Sequence, residues 1–229
     1  MSARAYATVL AVIALAVAGA FLLSEQGSPY TDATDASGTD DSGNIRWNLS
    51  EGVLTLSLED GHTDTVMTNY EDPEDVPWLE YSDEIVGGVV ERGITNIGSM
   101  AFAGCYALAS VDIQGNVGSI GYGAFAGCAA LASVTFNGDA TSIGGHAFEN
   151  CSFLASVDIQ GSVGSIGYGA FAGCAALASV DIQGSVGSIG YGAFAGCAAL
   201  ASVNLNVVAS SIGESAFKKC YALSSEDNT

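Results

Sequence analysis

The sequence predicts an α/β repeat solenoid, in which short helical turns join a ladder of parallel β-strands and a β-hairpin covers the N-terminal end. The six cysteines of the 229-residue chain are spaced 23 residues apart throughout. An isoleucine and a phenylalanine recur at the same interval, and the phrase that begins at Gly164 restarts at Gly187 and is identical through Val203. Such a fixed period is typical of a solenoid, in which each unit buries its apolar side against its neighbours.

Each unit contains one predicted strand and one predicted tight turn. Val180 and Ile182 lie two residues apart, as inward-facing side chains of a strand do. Phe171, Cys174 and Leu177 lie three residues apart, which favours one side of a tight helical turn. We therefore expect the phenylalanines and cysteines to form a continuous core ladder. Its members are Phe102, Phe125, Phe148, Phe171, Phe194, Phe217, Cys105, Cys128, Cys151, Cys174, Cys197 and Cys220.

A glycine follows the recurring isoleucine in every unit. The six positions are Gly98, Gly121, Gly144, Gly167, Gly190 and Gly213. We expect the chain to turn sharply there, because a residue without a Cβ can adopt positive φ.

The cysteines are either a ladder of buried thiols or a disulfide framework, which is common in exported chains. Strands of a parallel stack lie ~4.8 Å apart, which is within the range of about 4.4–6.8 Å between Cα atoms of a disulfide. Translation from one turn to the next keeps the Cβ vectors parallel, however, so the sequence favours thiols. Zinc is disfavoured, because 22 residues separate successive cysteines and no paired histidines accompany them. No metal or cofactor is expected.

The N-terminal 44 residues divide into two predicted segments. Residues 1–23 read as a signal peptide or an uncleaved membrane anchor, since Arg4 precedes an apolar stretch that contains an Ala-x-Ala pattern at Ala18 and Ala20. Residues 24–44 are rich in Ser, Thr, Gly and Asp and are predicted to be a disordered acidic linker. Residues 224–229 are predicted to be a disordered tail.

Residues 45–84 do not repeat and are predicted to form a β-rich capping region. The stretch "RWNLSEGVLTLSLEDG" alternates around a Ser-Glu-Gly turn, which favours a β-hairpin. A cap is needed because an open solenoid end exposes apolar surface and a strand edge. The aromatic and apolar side chains expected to plug this end are Trp47, Met67, Tyr70, Trp78 and Tyr81. An exposed aromatic platform for sugars is the alternative.

Charge excludes one class of partner. The formal net charge is -20 at pH 7, which repels nucleic acid, so no nucleic-acid binding is expected. Of the 25 acidic residues, 17 lie between Glu25 and Glu91, ahead of the regular repeats. A membrane would be contacted only through residues 1–23, if that segment is not cleaved.

The stretch "IGSMAFAGCYALASVDIQGNVGSIGYGAF" resembles the BspA-like leucine-rich repeat. The resemblance covers residues 85–223 as six units, and the preceding "WNLSEGVLTLSLEDG" is similar to the segment that often opens these arrays. It implies a leucine-rich-repeat solenoid in a secreted or cell-surface protein that serves adhesion or recognition. The implied partner is an extracellular protein or a glycan.

Two sets of outward-facing residues are candidate binding sites. The first follows the strands as two neighbouring polar columns, Asp112, Thr135, Asp158, Asp181 and Asn204 beside Gln114, Gln160 and Gln183. The second is a row of tyrosines, Tyr122, Tyr168 and Tyr191. A solvated polar strip and rings that shield the turns are the alternatives. Gly145 interrupts the tyrosine row, and the adjacent His146 resembles a tolerated surface substitution, because its position holds Gly, Met or Ser in other units.

The sequence favours a binding module over an enzyme. It contains no nucleophile elbow, phosphate-binding glycine loop or H-E-x-x-H motif. The predicted function is an exported or surface-anchored module that recognises a partner through repeated weak contacts. A structural envelope or spacer protein without a specific ligand is the alternative.

Overall fold

The computed structural model describes residues 35–60, 65–207 and 209–223. Within them the chain forms a β-solenoid, and the predicted ladder of parallel strands with an N-terminal hairpin is confirmed. The predicted leader (1–23), most of the predicted linker and the predicted tail lie outside the described residues. No described helix has the length and apolar character needed to cross a membrane.

The strands form two sheets that share one long strand. Their bounds are β1 Ala36–Thr39, β2 Ile45–Ser50, β3 Val53–Leu58, β4 Gly87–Val90, β5 Asn96–Ile97, β6 Ser110–Ile113, β7 Val117–Ile120, β8 Ser133–Phe136, β9 Ala140–Ile143, β10 Ser156–Ile159, β11 Val163–Ile166, β12 Ser179–Ile189, β13 Ser202–Val207 and β14 Ser211–Ile212. The main sheet has the order β1-β2-β3-β4-β6-β8-β10-β12-β13, and the second sheet has the order β5-β7-β9-β11-β12-β14.

The predicted helical turns are present only as single hydrogen-bonded turns, and almost no helix forms among the described residues. The segment that holds Phe102 and Cys105 makes local bonds in which Cys105 N donates to Phe102 O and Leu108 N donates to Cys105 O, both at 3.1 Å. Every second amide of this segment donates to the next turn instead; for example, Phe102 N donates to Ala124 O at 2.7 Å. Because the amides alternate between local and neighbouring partners, no helix can propagate. The only described helices are the short 3-10 segments Pro73–Asp75 and Leu79–Tyr81 of the cap.

The second sheet is not predicted by the sequence. Each of its strands in the regular units buries two apolar residues that are three positions apart, such as Val117 and Ile120. A strand is recognised in a sequence by alternation with a period of two. The spacing of three therefore conceals these strands.

The core contains the phenylalanine column as a continuous stack. Successive ring centroids from Phe102 to Phe217 lie 4.9–5.4 Å apart, and neighbouring planes are tilted by 13° or less. All these rings are buried except Phe217 of the last unit, which is partly buried. The stack excludes water from the centre of the solenoid, where each ring packs against the one before it.

The six cysteines are buried free thiols beside this stack. From Cys128 onward each Sγ donates to the carbonyl oxygen of the phenylalanine 26 residues earlier, at 3.0–3.2 Å. Burial raises the pKa of the Cys105 and Cys151 thiols to about 12 and that of Cys220 to about 11. Since the thiolate is the reactive form, the folded chain holds these thiols in an unreactive state.

We expect all six cysteines to react with a thiol reagent in unreduced, denatured protein, and to react slowly in the folded protein because they are buried. The measurement is the number of labels per chain by mass spectrometry, with and without denaturant. Reduced and denatured protein is the control for complete labelling. A denatured sample that takes up no label without reductant would indicate disulfides.

The recurring glycines have a different role from the predicted one. Gly167 and its counterparts are not among the residues with positive φ. A Cβ on Gly167 would instead lie 2.6 Å from Gly145 N and 2.7 Å from Gly144 C, in the backbone of the previous turn. The close approach of two turns therefore requires these glycines. Positive φ occurs two residues later, at Met100, Gly123, His146, Gly169, Gly192 and Ser215.

Gly167→Ala is expected to lower the free energy of unfolding by about 1–3 kcal/mol, because the added methyl group forces two turns apart. Gly115→Ala is the matched control. A Cβ at Gly115 meets nothing closer than Arg92 Cα at 3.5 Å. Urea denaturation followed by circular dichroism measures the free energy of unfolding of both variants. Equal losses would show that close contact with the previous turn does not explain the need for glycine at position 167.

The N-terminal cap begins earlier than predicted. Strand β1 lies inside the segment predicted to be a disordered linker, and it pairs antiparallel with β2. The carboxylate of Asp40, a residue only 3% exposed, follows this strand. It accepts hydrogen bonds from Ser42 Oγ at 2.6 Å, Thr68 N at 2.9 Å and Ile45 N at 3.2 Å. These bonds order residues 36–44 despite their polar composition, which corrects the linker prediction for this part of the chain.

Asp40→Asn is expected to destabilise the fold by about 1–3 kcal/mol. Both carboxylate oxygens of Asp40 accept hydrogen bonds, whereas the Asn side chain has only one acceptor oxygen. Burial alone would raise the pKa of Asp40, but the hydrogen bonds from Ser42, Thr68 and Ile45 hold this pKa below 3.8. The stabilisation is therefore present above the pKa of Asp40 in the unfolded chain and is lost as the pH falls through the lower pKa of the folded state. Thermal unfolding from pH 2 to 7 measures it, with the exposed Asp41→Asn as control. A stability difference from wild type that does not shrink in acid would contradict this role.

Candidate functional site

The polar columns lie on the outer face of the main sheet. Asp112, Thr135, Asp158, Asp181 and Asn204 occupy directly paired positions on β6, β8, β10, β12 and β13. Their neighbours are buried apolar residues on β6, β8, β10 and β12 and partly buried ones on β13, because side chains of a strand alternate between faces. Every member of the column is exposed or half-buried. The register therefore assembles one continuous polar strip from five separate units.

Amide side chains hold the carboxylates of this strip. Gln160 Nε2 donates to Asp158 Oδ1 at 2.8 Å, and Gln183 Nε2 donates to Asp181 Oδ1 at 3.0 Å. Asp112 accepts from Gln114 at 3.2 Å and from Asn137 of the next unit at 2.7 Å. The amides of the second column and of Asn137 thus hold the three acids of the first column in place.

The strip includes a shallow depression and an acidic pair at its C-terminal part. Asp158 and Asp181 are adjacent across β10 and β12 without an intervening residue. A depression of 370 Å³ is lined by Asp181, Gln183 and Asn204, with Ile182, Val203 and Leu205. This is the part of the strip where a partner group can reach carboxylate and amide oxygens together.

The tyrosine row is continuous, in contrast to the interruption predicted at Gly145. The ring of His146 lies between two tyrosines, 5.3 Å from the Tyr122 centroid and 4.8 Å from the Tyr168 centroid. Its side chain is only 21% exposed, and its Nδ1 lies 2.9 Å from an oxygen of Glu149. His146 is therefore a partly buried member of the row, packed between the two tyrosines. Sequence reasoning missed it because it stands one position after the tyrosine column.

Two tyrosines of this row each cover one ring face of the other. Tyr168 and Tyr191 are stacked with centroids 5.6 Å apart and an interplanar angle of 7°. Both residues remain about half exposed. A sugar stacks on the face of a ring, so this arrangement favours shielding of the turns over a stacking platform.

The aromatic residues of the cap plug the first turn. Trp47, Tyr70 and Trp78 are buried, and each ring lies about 6 Å from its neighbour in the cluster. Trp78 is tilted against Phe102, 6.2 Å from it, and so begins the core stack. Met67 is buried in the same cluster and Tyr81 is partly buried. The alternative of an exposed sugar platform does not fit this burial.

The described residues hold no group of three or more His, Cys, Asp or Glu side chains arranged to bind a metal. Two of the described acids, Glu59 and Asp60, pair with Arg46 at 2.7 and 3.6 Å near the hairpin. Among the described residues, the polar strip and its amide partners are the candidate binding surface.

Comparisons with known proteins agree with this architecture. Residues 93–224 match the family model described as the BspA type leucine rich repeat region, in six copies. No curated protein sequence matches.

Three solved bacterial structures are among those similar to the chain. The leucine rich repeat protein of T. pallidum has a TM-score of 0.49 at 22% identity, over 83% of this chain and 93% of that one. A leucine-rich repeat protein of Eubacterium ventriosum has a TM-score of 0.39 at 19% identity, over 83% and 90%. A leucine rich cell surface protein of Faecalibacterium prausnitzii has a TM-score of 0.47 at 19% identity, over 83% and 54%. Because the six-copy family match spans more than half of the sequence, the chain belongs to the BspA-type leucine-rich repeat family.

Proposed function

We propose that the chain is an exported or surface-anchored binding module that recognises a glycan or an extracellular protein along the outer face of its main sheet. The observation that supports this is the in-register strip from Asp112 to Asn204. Carboxylate and amide groups recur there at the spacing of the strands, ~4.8 Å. A partner that repeats donor groups can then engage several units at once.

The affinity comes from the number of contacts. Each exposed polar contact contributes little by itself, but contacts on one rigid frame add through a high effective concentration. The amides of Gln160 and Gln183 already orient Asp158 and Asp181. Binding therefore immobilises few additional side-chain torsions, which lowers its entropic cost.

The export and surface placement are part of the same proposal. The apolar residues 1–23 support them, together with the surface location that the Faecalibacterium neighbour's name states for that protein. An N-terminal sequence of the native protein, read by mass spectrometry, tests whether the leader is removed. A start at Met1 would favour the uncleaved anchor.

The experiment for binding starts with a screen against a glycan array and a panel of extracellular proteins. For any partner found, deletion of one unit, residues 162–184, should weaken binding by a graded factor because the strip loses one of its rungs. Asp158→Asn with Asp181→Asn should also weaken it. Glu149→Gln with Glu214→Gln, which removes two charges from the turn side, is the matched control. An all-or-none loss on deletion would contradict repeated contacts, and a screen without partners would favour a structural spacer.

A further inference from the structure

A groove of 840 Å³ lies between the cap and the turns of the first units, away from the polar strip. One wall is formed by the two short 3-10 segments and includes Pro73, Val76 and Leu79. The other wall includes Met100, Tyr106 and Ala126. Tyr106 is 64% exposed although it lines an apolar surface. The volume falls within the range of about 300–1,000 Å³ that is usual for ligand clefts.

Both walls are fixed by hydrogen bonds. Asp72 accepts from Glu74 N at 3.0 Å and caps the first 3-10 segment. Trp78 Nε1 donates to Ala101 O at 2.8 Å and ties the cap to the first turn, while Gly104 N donates to Ala126 O at 2.9 Å. The groove is therefore present before any partner binds.

The rim of the groove is acidic. Glu74 and Glu80 line it, and both are exposed. The exposed Asp72, Asp75 and Asp83 lie in the same segment of chain, which contains no Lys or Arg between Arg46 and Arg92. Among the described residues, Arg46 is the only Lys or Arg in an ion pair, and its partners are Glu59 and Asp60, which do not line the groove. This negative rim over an apolar floor is complementary to a surface that carries basic side chains next to aliphatic ones.

We propose that this groove docks a segment of a partner protein in which Lys or Arg side chains stand next to aliphatic ones. The aliphatic side chains and the stems of the basic residues cover Val76, Leu79 and Met100, and the cationic ends reach Glu74 and Glu80. Electrostatic complementarity of this kind selects the partner and speeds its association. The site is separate from the polar strip, so it is independent of the function proposed for the strip.

The repeats supply a matched pair of variants at Ala126, which lines the groove. The equivalent positions 23 and 92 residues later hold Glu149 and Lys218, so the turn accepts either charge. Ala126→Lys should lower the affinity for a basic segment at least about fivefold, because it places a cation in the wall. Ala126→Glu should keep or raise it. Both variants are first checked for an unchanged circular dichroism spectrum.

The probe is a capped hexapeptide of alternating Leu and Lys, titrated into the full chain with backbone amide shifts recorded by NMR. We expect binding that shifts amides in residues 73–80 and 100–106 and weakens as salt is added. Leu-Glu and Ser-Lys hexapeptides are controls for charge and for apolar contact and should bind at least about fivefold more weakly. Asp158→Asn with Asp181→Asn should bind the Leu-Lys peptide as the wild type does. Absence of binding to the wild type, equal binding by the two Ala126 variants, or equal binding of the Leu-Glu peptide would overturn the proposal.

Discussion

Phe148→Ala is expected to lower the free energy of unfolding by about 3–5 kcal/mol. Phe148 is 1% exposed and is stacked at 5.0 Å on Phe125 and at 5.1 Å on Phe171. Its removal leaves a cavity in the middle of the stack, which neighbours cannot fill because the strand register fixes their positions. Urea denaturation followed by circular dichroism measures the change.

Phe153→Ala is the matched control for this prediction. Phe153 lies five residues further along the same turn but is 67% exposed. The same chemical truncation there should change the free energy of unfolding by less than about 0.5 kcal/mol. Equal losses at the two positions would mean that the phenylalanine stack does not carry the stability of the solenoid.

Trp78→Ala is expected to destabilise the chain by about 3–5 kcal/mol and to loosen the cap. The indole is fully buried, contacts Trp47, Tyr70 and Phe102, and donates to Ala101 O at 2.8 Å. Its loss opens the first turn to water and leaves a buried carbonyl without its donor. Hydrogen exchange should rise first in β4 and in the turn at Ala101.

Trp78→Phe separates the two contributions of the indole. It keeps an aromatic ring against Phe102 but removes the donor to Ala101 O, so we expect a smaller loss of about 1–3 kcal/mol. Trp47→Phe is the comparison, because Trp47 Nε1 makes no hydrogen bond within the described residues. A Trp78→Ala protein as stable as the wild type would show that this cap does not seal the solenoid.

The sequence predicts the repeat and its core well because both depend on periodicity. A step of 23 residues brings each phenylalanine over the previous one, and the structure stacks them in that order. The alternation of Val157 and Ile159 with Asp158 likewise places the carboxylate outside. The polar strip is therefore readable from the sequence, although its hydrogen bonds to Gln160 and Gln183 depend on rotamers that no spacing specifies.

What the sequence does not predict depends on contacts between turns. The spacing of Phe171 and Cys174 by three fits a helical turn, and Cys174 N does donate to Phe171 O, but every second amide bonds to the next turn and no continuous helix forms. The glycine column looks like a set of positive-φ sites, whereas the backbone of the preceding turn excludes a Cβ there. Asp40 looks like part of a linker until Thr68, 28 residues away, donates to it. The role of His146 likewise depends on the tyrosines of neighbouring units.

The anomalous scattering of sulfur in a crystal of the reduced protein tests the in-register solenoid most directly. The in-register solenoid predicts six cysteine peaks in one nearly straight row, each ~4.8 Å from the next, running from Cys105 to Cys220 beside the phenylalanine stack. Cysteine peaks scattered through the molecule, or joined in pairs about 2 Å apart as in disulfides, would contradict the in-register solenoid.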